Sequence, residues 1–173
     1  MSAIVNNLKL IIGPGRYIRQ SMHNLLIETA LQGPVRLLIG GNCFPVYTIA
    51  YDLAAQGGDY LTILAEQIHL SRAETAYQMT ELLRQTEADQ MATLVTEMLN
   101  PFMDDGLNEK EASQLLFESI IELRRLGKGN PVYVSSHEAP ARPHLLMALA
   151  NAVGTVQRPP GCRPEPKIQK GLV

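Results

Sequence analysis

The sequence has no tryptophan, three phenylalanines and only 5% aromatic residues, so its core has to be built from aliphatic side chains. Cysteine occurs twice, at Cys43 and Cys162, with no CxxC pair and no HxxxH spacing. That excludes a disulfide framework and a zinc site of paired ligands, and two free thiols are the reading for a cytosolic chain. No metal site is expected. An excess of one charge is missing too: fifteen Lys and Arg stand against seventeen Asp and Glu, a formal charge of −2. A global basic field for nucleic acid or a membrane surface is thereby excluded. No apolar run reaches the roughly 18–20 residues of a membrane span. The opening MSAIVNNLKLIIGPGR lacks a basic start, a long apolar stretch and a small-residue cleavage site, so a cytoplasmic location is expected.

What the chain has is a regular alternation of apolar patterns. With 173 residues, 46% of them hydrophobic and 18% charged, it has the size and composition of one domain with a packed core. Val35-Arg36-Leu37-Leu38-Ile39, closed by Gly40-Gly41-Asn42, predicts a buried strand and a tight exit turn. Pro45 then opens a helix in which Val46, Ile49, Ala50, Leu53 and Ala54 recur at helical spacing, and Gly57-Gly58 ends it. A second unit begins near Gln67 with a strand over Ile68-His69-Leu70. Ser71-Arg72-Ala73-Glu74 has the S-x-x-E form of a capping box and predicts a helix to about Leu83, with Ala73, Ala76, Thr80 and Leu83 on one side.

Residues 92–96 predict a third strand, broken by Asn100-Pro101. Asn108 is placed to cap a long helix whose inward stripe is Ala112, Leu115, Leu116, Ser119, Ile120, Leu123 and Leu126. Gly127, Gly129 and Pro131 stop it. Residues 132–136 predict a fourth strand, 143–151 a further helix, and 153–157 a last short strand. The first 34 residues add a strand over 8–12 and a helix over 17–31. The whole predicts a three-layer α/β domain over residues 1–157, a mostly parallel sheet with helices on both faces, with 1–34 as an N-terminal addition. Residues 158–173 hold four prolines and four Lys or Arg against one Glu, the composition of a flexible basic tail.

Four pieces, taken in order, are similar to a known family. LLIGGNCFPVYT stands at the position of a Walker A loop, and IHLSRAETAYQM resembles a strand ending in Arg-Ala before a glutamine-bearing helix. TLVTEMLNPFMDD stands where a Walker B strand would, and VYVSSHE resembles a strand whose Thr-Asn-Gln end senses nucleotide. From residue 35 to about 157 the chain therefore resembles the core of the RecA/RadA recombinase family of P-loop ATPases, in reduced form. The resemblance implies ATP or ADP with Mg²⁺ as cofactor, self-association or a protein partner, and contact with DNA.

The residues depart from that chemistry. A P-loop needs G-x-x-x-x-G-K-[ST], so that backbone N–H groups wrap the phosphates, lysine neutralises their charge and the hydroxyl holds Mg²⁺. Counting from Gly41, the last three positions are Val46, Tyr47 and Thr48: only the hydroxyl remains. The Walker B position offers Glu97 where the family has aspartate. The strand and helix that carry the family's water-activating glutamate are reduced to about a dozen residues containing Glu66. Efficient hydrolysis is not expected. The two segments at the positions of the DNA loops, 100–107 and 137–143, are short, and the first contains Asp104-Asp105.

The candidate ligand- or anion-binding residues are Gly40, Gly41 and Asn42 at a strand end ahead of a helix, Thr48 and Glu97 on the metal side, and His137 at the sheet's carboxyl edge. Arg124, Arg125 and Lys128 close the long helix, where cations suit the dipole; they are the DNA-contact candidates. Ser135, Ser136, His137 and Glu138 bring together triad-type groups, but neighbouring strand residues face opposite sides and no G-x-S-x-G elbow is present. The expectation is a non-hydrolysing RecA-like binding or interaction protein, a regulatory relative of recombination and repair ATPases. The alternative is a nucleotide- or phosphate-binding switch, or a weak ATPase, using residues 40–48 and Glu97.

Overall fold

Alternation along each strand decides the layers. The computed structural model describes residues 7–41, 46–55, 59 and 62–161. Among these, six strands form one sheet: β1 (Leu8–Gly13), β2 (Val35–Gly40), β3 (Ile68–Ala73), β4 (Ala92–Thr96), β5 (Val132–His137) and β6 (Val156–Gln157). Their order is β3-β2-β4-β5-β1-β6, and every pairing is parallel. The α-helices of the described residues are α1 (Gly15–Gln32), α2 (Val46–Ala55), α3 (Ala76–Gln85), α4 (Glu109–Leu126) and α5 (Pro143–Val153). A π-helical turn, Ile63–Gln67, leads into β3, and a 3-10 turn, Asn100–Met103, follows β4.

The interior strands are apolar on both sides, as a parallel sheet covered on two faces requires. Leu8, Leu10 and Ile12 of β1, Leu38 of β2, Val95 of β4 and Val132 and Val134 of β5 pack with α3, α4 and α5. Their neighbours Ile11, Leu37, Ile39 and Leu94 pack on the opposite face with Ile18, Met22 and Leu26 of α1 and Ile49 of α2. The stripe read on α4 is buried from Ala112 to Leu126, with Ser119 among its members. Ser119 Oγ lies 2.9 Å from Thr80 Oγ1, and Thr80 also donates to the Ala76 carbonyl, so this buried polar pair between α3 and α4 is satisfied inside the core. The Asn108 side chain accepts the Glu111 N–H at 2.8 Å and caps α4.

One expectation is revised. Ser71-Arg72-Ala73-Glu74 is not a capping box, because Ser71 and Ala73 are strand residues paired with Leu38 and Gly40 of β2. The box sits four residues later. The Thr75 hydroxyl accepts the Gln78 N–H at 3.1 Å, and the Gln78 side chain accepts the Thr75 N–H at 3.2 Å. The strand and helix expected of the first 34 residues form as β1 and α1. Their strand, β1, is an interior strand hydrogen-bonded to β5 on one side and β6 on the other.

Candidate functional site

Strand order fixes where a ligand crevice forms. The connections β1 to β2 and β2 to β3 run through α1 and α2 on one face, and those after β3, β4 and β5 run through α3, α4 and α5 on the other. Three neighbouring pairs, β1 with β5, β2 with β4 and β2 with β3, therefore send their chains to opposite sides at the carboxyl edge. Open α/β sheets bind ligands in the gaps this creates. Gly13 and His137 are register partners at one such point. Gly40 and Glu97 meet at a second, between β2 and β4.

Glu97 follows β4 directly and has φ of +50°, and it is the one non-glycine residue with positive φ among the described residues. Its backbone is held on both sides: the N–H donates to Ser135 Oγ at 3.0 Å, and the carbonyl accepts the Asn100 N–H at 3.0 Å. A Cβ on Gly40 would lie 2.2 Å from the Glu97 carbonyl oxygen, so only glycine lets β2 pass there. Gly41, with φ of +86°, is covered by the Asn100 side chain. The glutamate side chain is half-buried, and its carboxylate has no hydrogen-bond or ion-pair partner among the described residues. Burial pushes its pKa above the ordinary carboxylate range, against the opposing pull of Arg19 on α1 and of His137.

Glu97 lines a crevice of about 390 Å³ at the ends of β4 and β5, with Asn100, Ser136 and His137 as its other polar members. Leu99, Met103, Ala139, Pro140 and Ala141 form its apolar wall. His137 Nδ1 accepts the Ala139 N–H at 3.2 Å, and the ring edge stands over the start of α1, where a Cβ on Gly15 would lie 3.7 Å from Cδ2. Ser135 points away from His137 and serves Glu97 and Thr96 instead, so the serine, imidazole and carboxylate of residues 135–138 do not assemble a triad.

The remaining candidates are dispersed. Thr48 is exposed on α2, and Asn42 lies outside the described residues, as do Cys43, Pro45, Gly57, Gly58 and Cys162. Asp104 and Asp105 are exposed, and Asp104 Oδ1 accepts the Gly106 N–H in a local turn. Arg124, Arg125 and Lys128 sit at the far end of α4, by the amino edge of the sheet, where Asn7 donates to the Gly127 carbonyl. Arg125 Nη2 donates to the carbonyls of Leu83 at 3.0 Å, Arg84 at 3.4 Å and Thr86 at 2.7 Å, and so closes the C-terminus of α3. Arg124 donates to the Ala152 carbonyl at 3.1 Å, and Lys128 is exposed. Arg19 and Gly15 escaped the sequence reading, since only the strand order brings the start of α1 to this edge.

A magnesium nucleotide does not fit the crevice. Its lining contains no Lys or Arg to meet a triphosphate, and Glu97 opposes one. No group of three His, Cys, Asp or Glu among the described residues is placed to hold a metal ion. None of the described helices is long and apolar enough to cross a membrane. No protein-family model matches the chain, and no curated protein matches it in sequence.

Proposed function

We propose that this chain is a non-hydrolysing binding module of RecA-like architecture, which takes its ligand or partner in the Glu97–His137 crevice at the carboxyl edge of the sheet. The observation that carries this reading is the lining of that crevice, which among the described residues combines an unpaired, half-buried carboxylate with an apolar wall and holds no Lys or Arg. Such a lining supports capture of a ligand and opposes phosphoryl transfer, which depends on cationic groups around the transferred phosphate. Kinship with recombination ATPases rests on the order of the sequence motifs. Self-association or a protein partner fits a module that has lost hydrolysis. The second reading, a nucleotide-responsive switch through residues 40–48 and Glu97, is favoured by the contact of Gly40 with the Glu97 backbone.

Turnover separates the two readings. With Mg²⁺-ATP, the protein should release phosphate at the background rate. Tyr47→Lys, which restores the lysine of the Walker A pattern, should leave that rate unchanged, because a water-activating carboxylate is still missing. Mg²⁺-dependent turnover in the variant would overturn the binding-module reading.

A further inference from the structure

The Glu97 crevice selects the charge of what enters it. This inference rests on the reading of that crevice as the binding site and adds the chemistry of the ligand. Glu97 cannot retreat: its N–H and carbonyl are both hydrogen-bonded at 3.0 Å, and β2 presses on its backbone from Gly40. Its backbone is thus fixed at the mouth, and its side chain stands half out of water with no hydrogen-bond or ion-pair partner among the described residues. A desolvated acceptor without a partner is a standing cost that only a donor relieves.

Three ligand classes meet the crevice differently. An anion finds Glu97 and no lining Lys or Arg. A divalent metal ion wants six or more oxygens or a set of nitrogen and sulfur ligands, and no such set is assembled among the described residues. A purely apolar ligand strips the carboxylate of its remaining water. A single organic cation needs one carboxylate, and guanidinium pairs with it through two parallel hydrogen bonds. An aliphatic stem behind the cation then has an apolar wall to lie on. Arg19 acts on Glu97 from α1 but makes no ion pair with it, so the position is not filled from within the described residues.

We propose that the crevice binds a guanidinium or ammonium group on an aliphatic stem, the head against Glu97 and the stem along Leu99, Met103 and Ala139. The group can belong to a small molecule or to an arginine or lysine side chain of a polypeptide.

The test is a titration of the ¹⁵N-labelled full chain, followed through its backbone amides. The probes are butylguanidinium, the tripeptide Gly-Arg-Gly blocked at both ends, and its citrulline counterpart, which is isosteric and neutral. The guanidinium probes should shift the amides of residues 97–100, 136–139 and 141 saturably, and more weakly at high salt. The citrulline peptide should bind about tenfold more weakly or worse, as should arginine peptide with Glu97→Gln. Ala139→Leu, on the exposed part of the wall, should weaken every guanidinium probe while leaving the fold intact. An arginine peptide that binds as well as butylguanidinium identifies a polypeptide source, and one that binds far worse identifies a small molecule.

Equal binding of the citrulline peptide, undiminished binding by a folded Glu97→Gln, or no shift at these amides overturns the proposal. Failure of the underlying reading looks different: Mg²⁺-ATP would then shift the same amides.

Discussion

A glutamate with φ of +50° holds a conformation that costs an L-residue about 1–2 kcal/mol. Glycine carries no such penalty, so Glu97→Gly should stabilise the fold by about 1 kcal/mol, a rise of roughly 2–4 °C in melting temperature for a chain of this size. A fall would mean that the side chain contributes packing that outweighs the strain. The same residue sets a pH dependence. Burial lifts its pKa in the folded protein, so the folded state holds the proton more tightly than the unfolded chain does. The stability this group contributes is full below the ordinary glutamate value of about 4.3 and is lost as pH rises through the raised folded value. Glu97→Gln should therefore flatten the melting-temperature profile from about pH 4 upward. An unchanged slope in the variant would refute the raised pKa. Asp89 acts in the opposite sense, because the Met91 N–H and Arg36 hold its carboxylate below the usual range. Its contribution is present at neutral pH and disappears as acid protonates it.

At the scale of elements, helix stripes were the most legible features, and helix starts were not. The α4 stripe could be read residue by residue because seven inward positions fit one helical face and Asn108 stands where a cap belongs. The start of α3 was placed too early, since Ser71-x-x-Glu74 has the form of a capping box while the box that forms is Thr75-x-x-Gln78. The choice is made by ladder hydrogen bonds to β2, which hold Ser71 and Ala73 in β3, and no local pattern contains that information. The role of Arg125 was hidden for a similar reason. It was legible as a cation at the end of its own helix, yet its guanidinium serves the end of α3, a neighbour set by packing. Removing a charged donor from three carbonyls should cost about 1.5–3 kcal/mol. Arg125→Ala should therefore melt several degrees lower, while Lys128→Ala, at an exposed position, should melt with the parent. Equal melting of the two variants would reduce Arg125 to a surface cation.

For the molecule as a whole, the period of two along each strand reveals how many layers there are but not which strands are neighbours. Layers and strand positions were therefore readable, and the order β3-β2-β4-β5-β1-β6 was not. That order makes β1 internal and brings Gly15 and Arg19 to the edge where β4 and β5 end. Glu97 could be named beforehand from its place at the Walker B position of the resemblance, and His137 as a polar residue at the carboxyl end of a buried strand, the ligand-binding edge of an α/β sheet. Their common crevice, its apolar wall and the unpaired state of the carboxylate appear only in three dimensions. The proposed function requires that crevice to be a binding site that does not accept a magnesium nucleotide.

The most direct measurement is a thermal-shift titration of the full chain with ATP and with ADP, each with and without Mg²⁺. A ligand that binds only the native state stabilises it by about 2.7 kcal/mol at a hundredfold excess over its dissociation constant. For a chain of this size that is a shift of roughly 5–10 °C. No saturable shift is expected at millimolar nucleotide under any of the four conditions. A saturable, Mg²⁺-dependent rise that Glu97→Gln or Thr48→Val abolishes would contradict the proposed function and make the protein a nucleotide switch.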